Sequence, residues 1–252
     1  MTKILLSGCM GRMGRAITQI VSDTPDAEIV CGFDIGKGDM PYPVYSNYSD
    51  IKEKADVIID FSHPSNLNSL LEYAKQNNIP VVVSTTGLSE EQKAYLKETS
   101  CKIPVFFSAN MSLGINILIR LAKQAAKVLE DNFDIEIIEK HHNKKLDAPS
   151  GTALAIADGI SEVLSEKAEY VYDRHAVRKQ RAKNEIGISA IRGGTIVGEH
   201  DVIFAGPEEI IELSHTATSR EVFAHGAVRA AKFLIGKPNG FYSMDDMLSD
   251  IM

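Results

Sequence analysis

Ile4-Leu5-Leu6-Ser7-Gly8-Cys9-Met10-Gly11-Arg12-Met13-Gly14 is the stretch from which the architecture follows. A short apolar run passes straight into three glycines spaced three apart, and a helical pattern opens at Gly14 and continues to Ser22. Glycines let a backbone turn sharply and come close to a pyrophosphate, whose charge is favoured by free N–H groups and the dipole of the following helix. The next apolar run, Ile29–Phe33, ends in Asp34, 20 residues beyond Gly14. A carboxylate at that distance is placed to accept hydrogen bonds from the ribose hydroxyls of a dinucleotide. A glycine triplet alone reads equally well as a plain strand–helix turn. The strand before it, the helix after it and Asp34 together predict a cofactor site.

Outward from that motif, short β-branched runs alternate with helical patterns. Val57–Phe61, Val81–Ser84 and Val105–Ser108 read as further strands, apolar along their length as parallel strands covered on both faces are. Leu67–Asn77 and Ser89–Thr99 read as helices, the second opening with the capping box Ser89-Glu90-Glu91-Gln92. Alternation of this kind predicts a Rossmann-type doubly wound parallel sheet. Thr85-Thr86-Gly87 and Ala109-Asn110-Met111-Ser112 follow the fourth and fifth strands, at the edge where ligands of open α/β sheets bind. By themselves such segments read as turns that cap a helix.

The pattern changes after Asn110. A long helix is expected over Gly114–Glu130, then a strand, Ile135–Glu139, a polar basic loop, and a helix from about Thr152. Three strand-like stretches follow, Ile186–Ile191, Ile196–Phe204 and Ile210–Ser214, and predict a second α+β domain with a mixed sheet. Arg174–Lys183, rich in basic and poor in apolar residues, predicts an exposed loop. Glu221–Ile235 reads as a helix that returns to the first domain.

Composition narrows the function classes. A chain of 252 residues with 44% apolar content can build a large core, at the size where one core gives way to two. No apolar run nears the roughly 18 residues of a membrane span. The first strand leads into glycines rather than into a cleavage pattern, so a cytoplasmic protein is expected. A formal net charge of −7 argues against general binding to nucleic acid or anionic membrane. Cys9, Cys31 and Cys101 stand far apart, which predicts isolated buried thiols rather than disulfides or zinc knuckles.

Against the acidic whole stands one basic stretch, Glu139-Lys140-His141-His142-Asn143-Lys144-Lys145-Leu146-Asp147-Ala148-Pro149-Ser150-Gly151-Thr152-Ala153. Two histidines and three lysines fall within six residues, directly before a small-residue helix start. Such a start, with free N–H groups and hydroxyls, is a ready carboxylate site. Histidine and lysine are the usual proton donors when hydride is added to a conjugated imine. Adjacent histidines lack the i, i+4 spacing of a helical metal site, and no cysteine or carboxylate pattern completes one, so no metal is expected. A solvated basic loop is the commonest fate of such a run; the helix start immediately downstream weighs against it.

On these residues the chain resembles the 4-hydroxy-tetrahydrodipicolinate reductase (dihydrodipicolinate reductase) family of the diaminopimelate and lysine pathway, from end to end. The resemblance rests on the G-x-x-G-R-M-G opening, the T-T-G and A-N-x-S segments, and the specific E-x-H-H-x-x-K-x-D-x-P-S-G-T-A block. Arg192-Gly193-Gly194 followed by Val197-Gly198-Glu199-His200 completes it. It implies that His141 is a proton donor and acceptor, Lys145 a proton donor and His142 a substrate contact, with Gly151 and Thr152 holding one carboxylate. It implies that NADH or NADPH is bound by Gly8, Cys9, Met10, Gly11, Arg12, Met13, Asp34, Ser84, Thr85, Thr86, Ala109, Asn110, Met111 and Ser112. It implies a cyclic dicarboxylate substrate and a homotetramer associated through the second domain. A dinucleotide domain would comprise residues 1–112 with 220–252, and a substrate and oligomerisation domain residues 113–219. The chain departs from the pattern at Ser84, often glycine, at Met111, usually aromatic, and at Ile35, where some members carry an arginine for the 2′-phosphate.

Two rival readings remain. Another amino-acid dehydrogenase on the same nucleotide fold leaves the basic block without a purpose. A regulator that only senses NAD(P) has no need of proton donors.

Overall fold

The structure, a computed structural model, describes residues 1–36, 38–175 and 178–251. In chain order it runs β1 (Thr2–Ser7), α1 (Arg12–Ser22), β2 (Ala27–Phe33), β3 (Val44–Tyr45), β4 (Val57–Asp60), α2 (Leu67–Asn77), β5 (Val81–Val83), α3 (Glu90–Thr99) and β6 (Pro104–Phe107). It continues with α4 (Leu113–Leu129), β7 (Asp134–His141), α5 (Gly151–Ser161), β8 (Glu169–Val171), β9 (Glu185–Arg192), β10 (Gly198–Ala205) and β11 (Ile210–Ala217). It closes with α6 (Glu221–Leu234), β12 (Gly240–Tyr242) and α7 (Met244–Ile251). The chain divides into two compact units, Met1–Leu113 with Glu221–Met252, and Gly114–Arg220.

The first unit is a seven-stranded sheet in the order β12-β6-β5-β4-β1-β2-β3, with neighbouring strands parallel throughout. The order reverses between β1 and β4, the switch point beside which ligands of doubly wound sheets bind. Ile4 and Leu6 face the core built with α1, α6 and α7, whereas Leu5 faces the core built with α2 and α3. Burial on both faces is why these strands carry no polar alternation. Ile4, Leu5, Leu6, Ile58 and Ile59 have no exposed surface, and each such side chain contributes about 1.5–3 kcal/mol relative to exposure. The capping box forms in full: Ser89 Oγ accepts from Gln92 N–H and Gln92 Oε1 accepts from Ser89 N–H. The short strands β3 and β12 and the helix α7 go beyond the sequence reading. Two- and three-residue strands carry too little pattern to be seen.

The second unit is a mixed five-stranded sheet, β11-β10-β7-β9-β8, with β9 parallel to β7 and β8, and β10 antiparallel to β7 and β11. One face carries Ile135, Ile137, Ile186, Ile188, Val202 and Phe204 against Ile115, Leu118, Ile156 and Ile160. Of the boundaries that differ from the sequence reading, two shifts are of two residues at a strand end near the basic stretch. β7 continues two residues past Glu139, because Lys140 and His141 find cross-strand partners in Glu199 and Arg192. β10 begins at Gly198 rather than Ile196, after the turn through Gly193 and Gly194.

Arg174–Lys183 lacks regular structure at its described positions; Ala176 and Val177 lie outside the described residues. It is not a merely solvated loop, since Arg174 bonds Glu185 and Glu136, and Arg181 bonds backbone carbonyls. Cys9 and Cys31 are buried free thiols, and Cys101 corrects the expectation by being exposed. Among the described residues no helix is long and apolar enough to cross a membrane.

Candidate active site

In the first unit the turn after β1 is as tight as its glycines suggest. Gly8 takes φ +79°, and a Cβ there would lie 2.6 Å from the Phe61 carbonyl oxygen. One at Gly14 would lie 2.4 Å from the Gly8 carbonyl oxygen. Any side chain at either place would push the turn open. Asp34 closes the turn from the next strand: Oδ2 accepts from Met10 N–H at 2.9 Å and Oδ1 from Gly36 N–H at 2.8 Å. A cleft of about 550 Å³ opens here, bordered by Gly8, Met10, Gly11, Asp34, His63 and Asn66 among others. Backbone N–H groups, a helix start and a fixed carboxylate around a slot with no Cβ in the way fit a dinucleotide.

Of the expected cofactor residues, Gly8, Met10, Gly11 and Asp34 border this cleft. Arg12 and Thr86 are exposed, Met13 half-buried, and Cys9, Ser84, Thr85, Met111 and Ser112 have buried side chains. Residues of that last group can offer a ligand little beyond backbone. Met111, standing where an aromatic was expected, packs in the core, and α6 approaches so closely that a Cβ on Gly226 would overlap the Met111 carbonyl. Thr85 Oγ1 donates to the fully buried Asp60 at 2.6 Å, which fixes the loop after β5. Burial lifts the Asp60 carboxyl above its ordinary range, against hydrogen bonds from Ser62, Thr85 and Ser7. Asn110 forms the turn before α4, its Oδ1 accepting from Ser112 N–H at 2.9 Å. His63, Ser62 and Asn66, which line the cleft from the loop after β4, were missed. A loop of small polar residues after a strand carries no distinctive spacing.

In the second unit the basic stretch does not stay together as one loop. Lys140 and His141 belong to β7 and point to opposite faces, because side chains alternate along a strand. Lys140 leaves the constellation to pair with Glu199 and Asp201 at 3.0 and 3.1 Å. His141 turns inward, in phase with Ile135, Ile137 and Glu139. Glu139 is wholly buried. Its Oε2 accepts from Arg192 Nη1 at 2.7 Å and contacts His141 Nδ1 at 2.6 Å. Its Oε1 accepts from Arg192 Nη2 at 2.6 Å and from Ser150 N–H at 2.9 Å. Burial alone would raise this carboxyl, but Arg192, His141 and Ser150 outweigh it and hold it below the usual carboxylate range.

The His141 imidazole is lowered from its ordinary value: burial lowers it, Glu139 opposes, and Lys145 and Arg192 lower it further. Its ring stands edge-on to His200, centroids 5.2 Å apart. Burial drives His200 down to about 4, so that residue is neutral. Gly198 leaves room for the ring, since a Cβ there would be 3.1 Å from His141 Nε2. Lys145 follows on the loop, its ammonium 3.0 Å from Asp147. His142 Nε2 lies 3.3 Å from Arg220 Nη2. Ser150 caps α5 by accepting from Ala153 N–H at 3.1 Å, with its Oγ 3.3 Å from His200 Nε2. Gly151 opens the helix, exposed, with open space where a Cβ would be. The arrangement joins an oriented imidazole, a lysine and a helix start suited to a carboxylate. The sequence reading gave no role to Glu139, Ser150, Arg192 or His200. The signal lay in the period of β7, which puts a carboxylate on its buried face, where a charge must be paired.

Comparison with known proteins agrees in both units. The family model described as "Dihydrodipicolinate reductase, N-terminus" matches residues 2–111, and "Dihydrodipicolinate reductase, C-terminus" matches residues 114–248. The 4-hydroxy-tetrahydrodipicolinate reductase of Caldanaerobacter subterraneus subsp. tengcongensis is 56% identical over 98% of both chains. That of Clostridium novyi is 53% identical, again over 98% of both. The solved structure of a dipicolinate-bound dihydrodipicolinate reductase from Paenisporosarcina sp. TG-14 shares the fold, with TM-score 0.81 and 23% identity over 96% of this chain and 97% of that one.

Proposed function

The chain belongs to the dihydrodipicolinate reductase family, and from that premise we infer that it reduces 4-hydroxy-tetrahydrodipicolinate to tetrahydrodipicolinate in lysine and diaminopimelate biosynthesis, in the cytoplasm. The balance is substrate, reduced nicotinamide dinucleotide and one proton giving tetrahydrodipicolinate, oxidised cofactor and water. The observation that carries the reading is the second unit's constellation of His141, Lys145 and the amino end of α5. Neither rival reading requires these groups.

When bound, the reduced nicotinamide supplies the hydride. Gly8 to Met13, Asp34 and the backbone of Ser84–Thr86 and Ala109–Ser112 hold the cofactor. Gly151 and Thr152 take one substrate carboxylate at the α5 start, and His142 touches the ring. Lys145, its side-chain nitrogen 3.0 Å from Asp147, donates the proton that follows hydride addition. Burial, with Lys145 and Arg192, lowers the His141 imidazole against the pull of Glu139, which favours the neutral ring that can take up a proton and return it.

Purified protein should oxidise reduced nicotinamide when freshly generated 4-hydroxy-tetrahydrodipicolinate is added, and pyridine-2,6-dicarboxylate should compete with that substrate. The inhibition should weaken as salt rises, because its long-range part comes from cations that salt screens. Absent turnover overturns the reading. Inhibition that is uncompetitive with substrate, or missing at millimolar inhibitor, overturns the proposed pocket.

The protein is expected to be a homotetramer. Helices cover one face of the second unit's sheet, while Ile191 and Ile210 on the other stay 47% and 68% exposed. Symmetric association is the usual cover for such a face. A monomer mass by light scattering at micromolar concentration refutes it.

A further inference from the structure

We propose that Glu139 is the positioning residue of the acid–base site, one buried carboxylate that orients His141 and anchors the carboxylate-binding start of α5 together. The inference rests on the functional reading above and adds a residue to it. Glu139 offers two oxygens to four contacts, and three of them are obligate donors: two Arg192 nitrogens and the Ser150 N–H. The fourth is His141 Nδ1. A carboxylate can only accept, so Nδ1 carries the proton, and in the neutral ring Nε2 is left as the free acceptor. Nε2 is the atom nearest Gly198, where no side chain intrudes.

The second arm runs to α5. Glu139 Oε1 holds the Ser150 backbone while Ser150 Oγ caps the helix, so the N–H groups of the first turn are aimed by the carboxylate that aims the imidazole. Arg192 makes the burial of Glu139 tolerable and, through Nη2, also ties the Asp147 carbonyl at 2.7 Å. The titratable and charged groups facing His141 are therefore Glu139 on its own strand, Arg192 on β9, His200 on β10 and Lys145 on the following loop. Of these, Glu139 is the one that raises the imidazole.

Two variants test the assignment. Glu139→Gln removes the charge but turns an amide donor toward groups that donate. Glu139→Met with Arg192→Met removes the buried pair as a unit, a replacement that buried ion pairs often tolerate without loss of stability. In either folded variant kcat should fall about 10- to 100-fold, the usual cost of removing a partner that orients a functional side chain. KM for the cofactor should hold, and inhibition by pyridine-2,6-dicarboxylate should weaken. The limb of the pH–rate profile that follows His141 should move to lower pH, since the group that raises its imidazole is gone.

A readout free of substrate is nitrogen-15 NMR of the histidines, with His141 identified by its loss in His141→Asn. The wild-type ring should rest as the Nδ1–H tautomer, and the variants should shift toward Nε2–H. Failure of wild-type turnover would sink the functional reading and leave this measurement standing. Folded variants with unchanged kcat, pH profile and tautomer would overturn the proposal. So would loss of the fold in both, which would make Glu139 a structural keystone instead.

Discussion

Lys145→Ala and His141→Ala are each expected to lower kcat by roughly 10²–10⁴, the range for a positioned general acid or base. The two reach the site by different routes. His141 is set by β7 and held through Nδ1, with its imidazole lowered by burial and by the cations Lys145 and Arg192. Lys145 is set by the loop, its N–H bonded to the His142 carbonyl and its ammonium to Asp147. The expected cofactor residues belong to the other unit, so binding of reduced nicotinamide should stay near wild type in both variants. Lys145→Arg separates anchoring from proton transfer. A guanidinium keeps the charge but does not give up its proton at neutral pH, so KM for substrate should hold while kcat collapses. Near-normal turnover in both alanine variants would remove the catalytic assignment. A rise in KM with kcat unchanged would recast both residues as substrate anchors.

Asp34 should make NADH at least as good a substrate as NADPH. The carboxylate borders the cleft beside the glycine turn, pinned by Met10 and Gly36 N–H, and in the proposed cofactor site it would meet a 2′-phosphate as a like charge. The next residue is Ile35, 88% exposed and without charge. One unpaired like-charge contact costs on the order of 1–3 kcal/mol, about tenfold to a hundredfold in the ratio of kcat/KM. Nearby cations oppose this. Arg12 is exposed on the same turn, Arg15 Nε donates to the Met10 carbonyl at 3.3 Å, and Lys37 lies outside the described residues. Asp34→Gly should move the ratio toward NADPH by at least several-fold. Because Asp34 also braces the glycine turn, that substitution should weaken both cofactors, and only their ratio is diagnostic. Asp34→Asn, which keeps an acceptor for the turn, should shift the ratio with less loss of affinity. A strong wild-type preference for NADPH, or a ratio that does not move, would show that Asp34 does not read the ribose.

The doubly wound sheet and its glycine turn are legible from the residues alone. The governing signals there are local: apolar runs of strand length, glycines where no Cβ fits, an acidic residue one strand on. A second, mixed α+β sheet is legible too, and the dense basic run before a small-residue helix start marks Glu139 to Ala153 as the candidate site. Which members of that run come together is a matter of tertiary structure. Register sends Lys140 to Glu199 and Asp201 while His141 turns inward, a one-residue difference that exchanges the faces of a strand. It brings Arg192 from 53 residues away onto Glu139, and His200 from 50 residues away onto Ser150. Pairings across strands depend on which strands become neighbours and in what register, and no local pattern of charge or hydrophobicity encodes that.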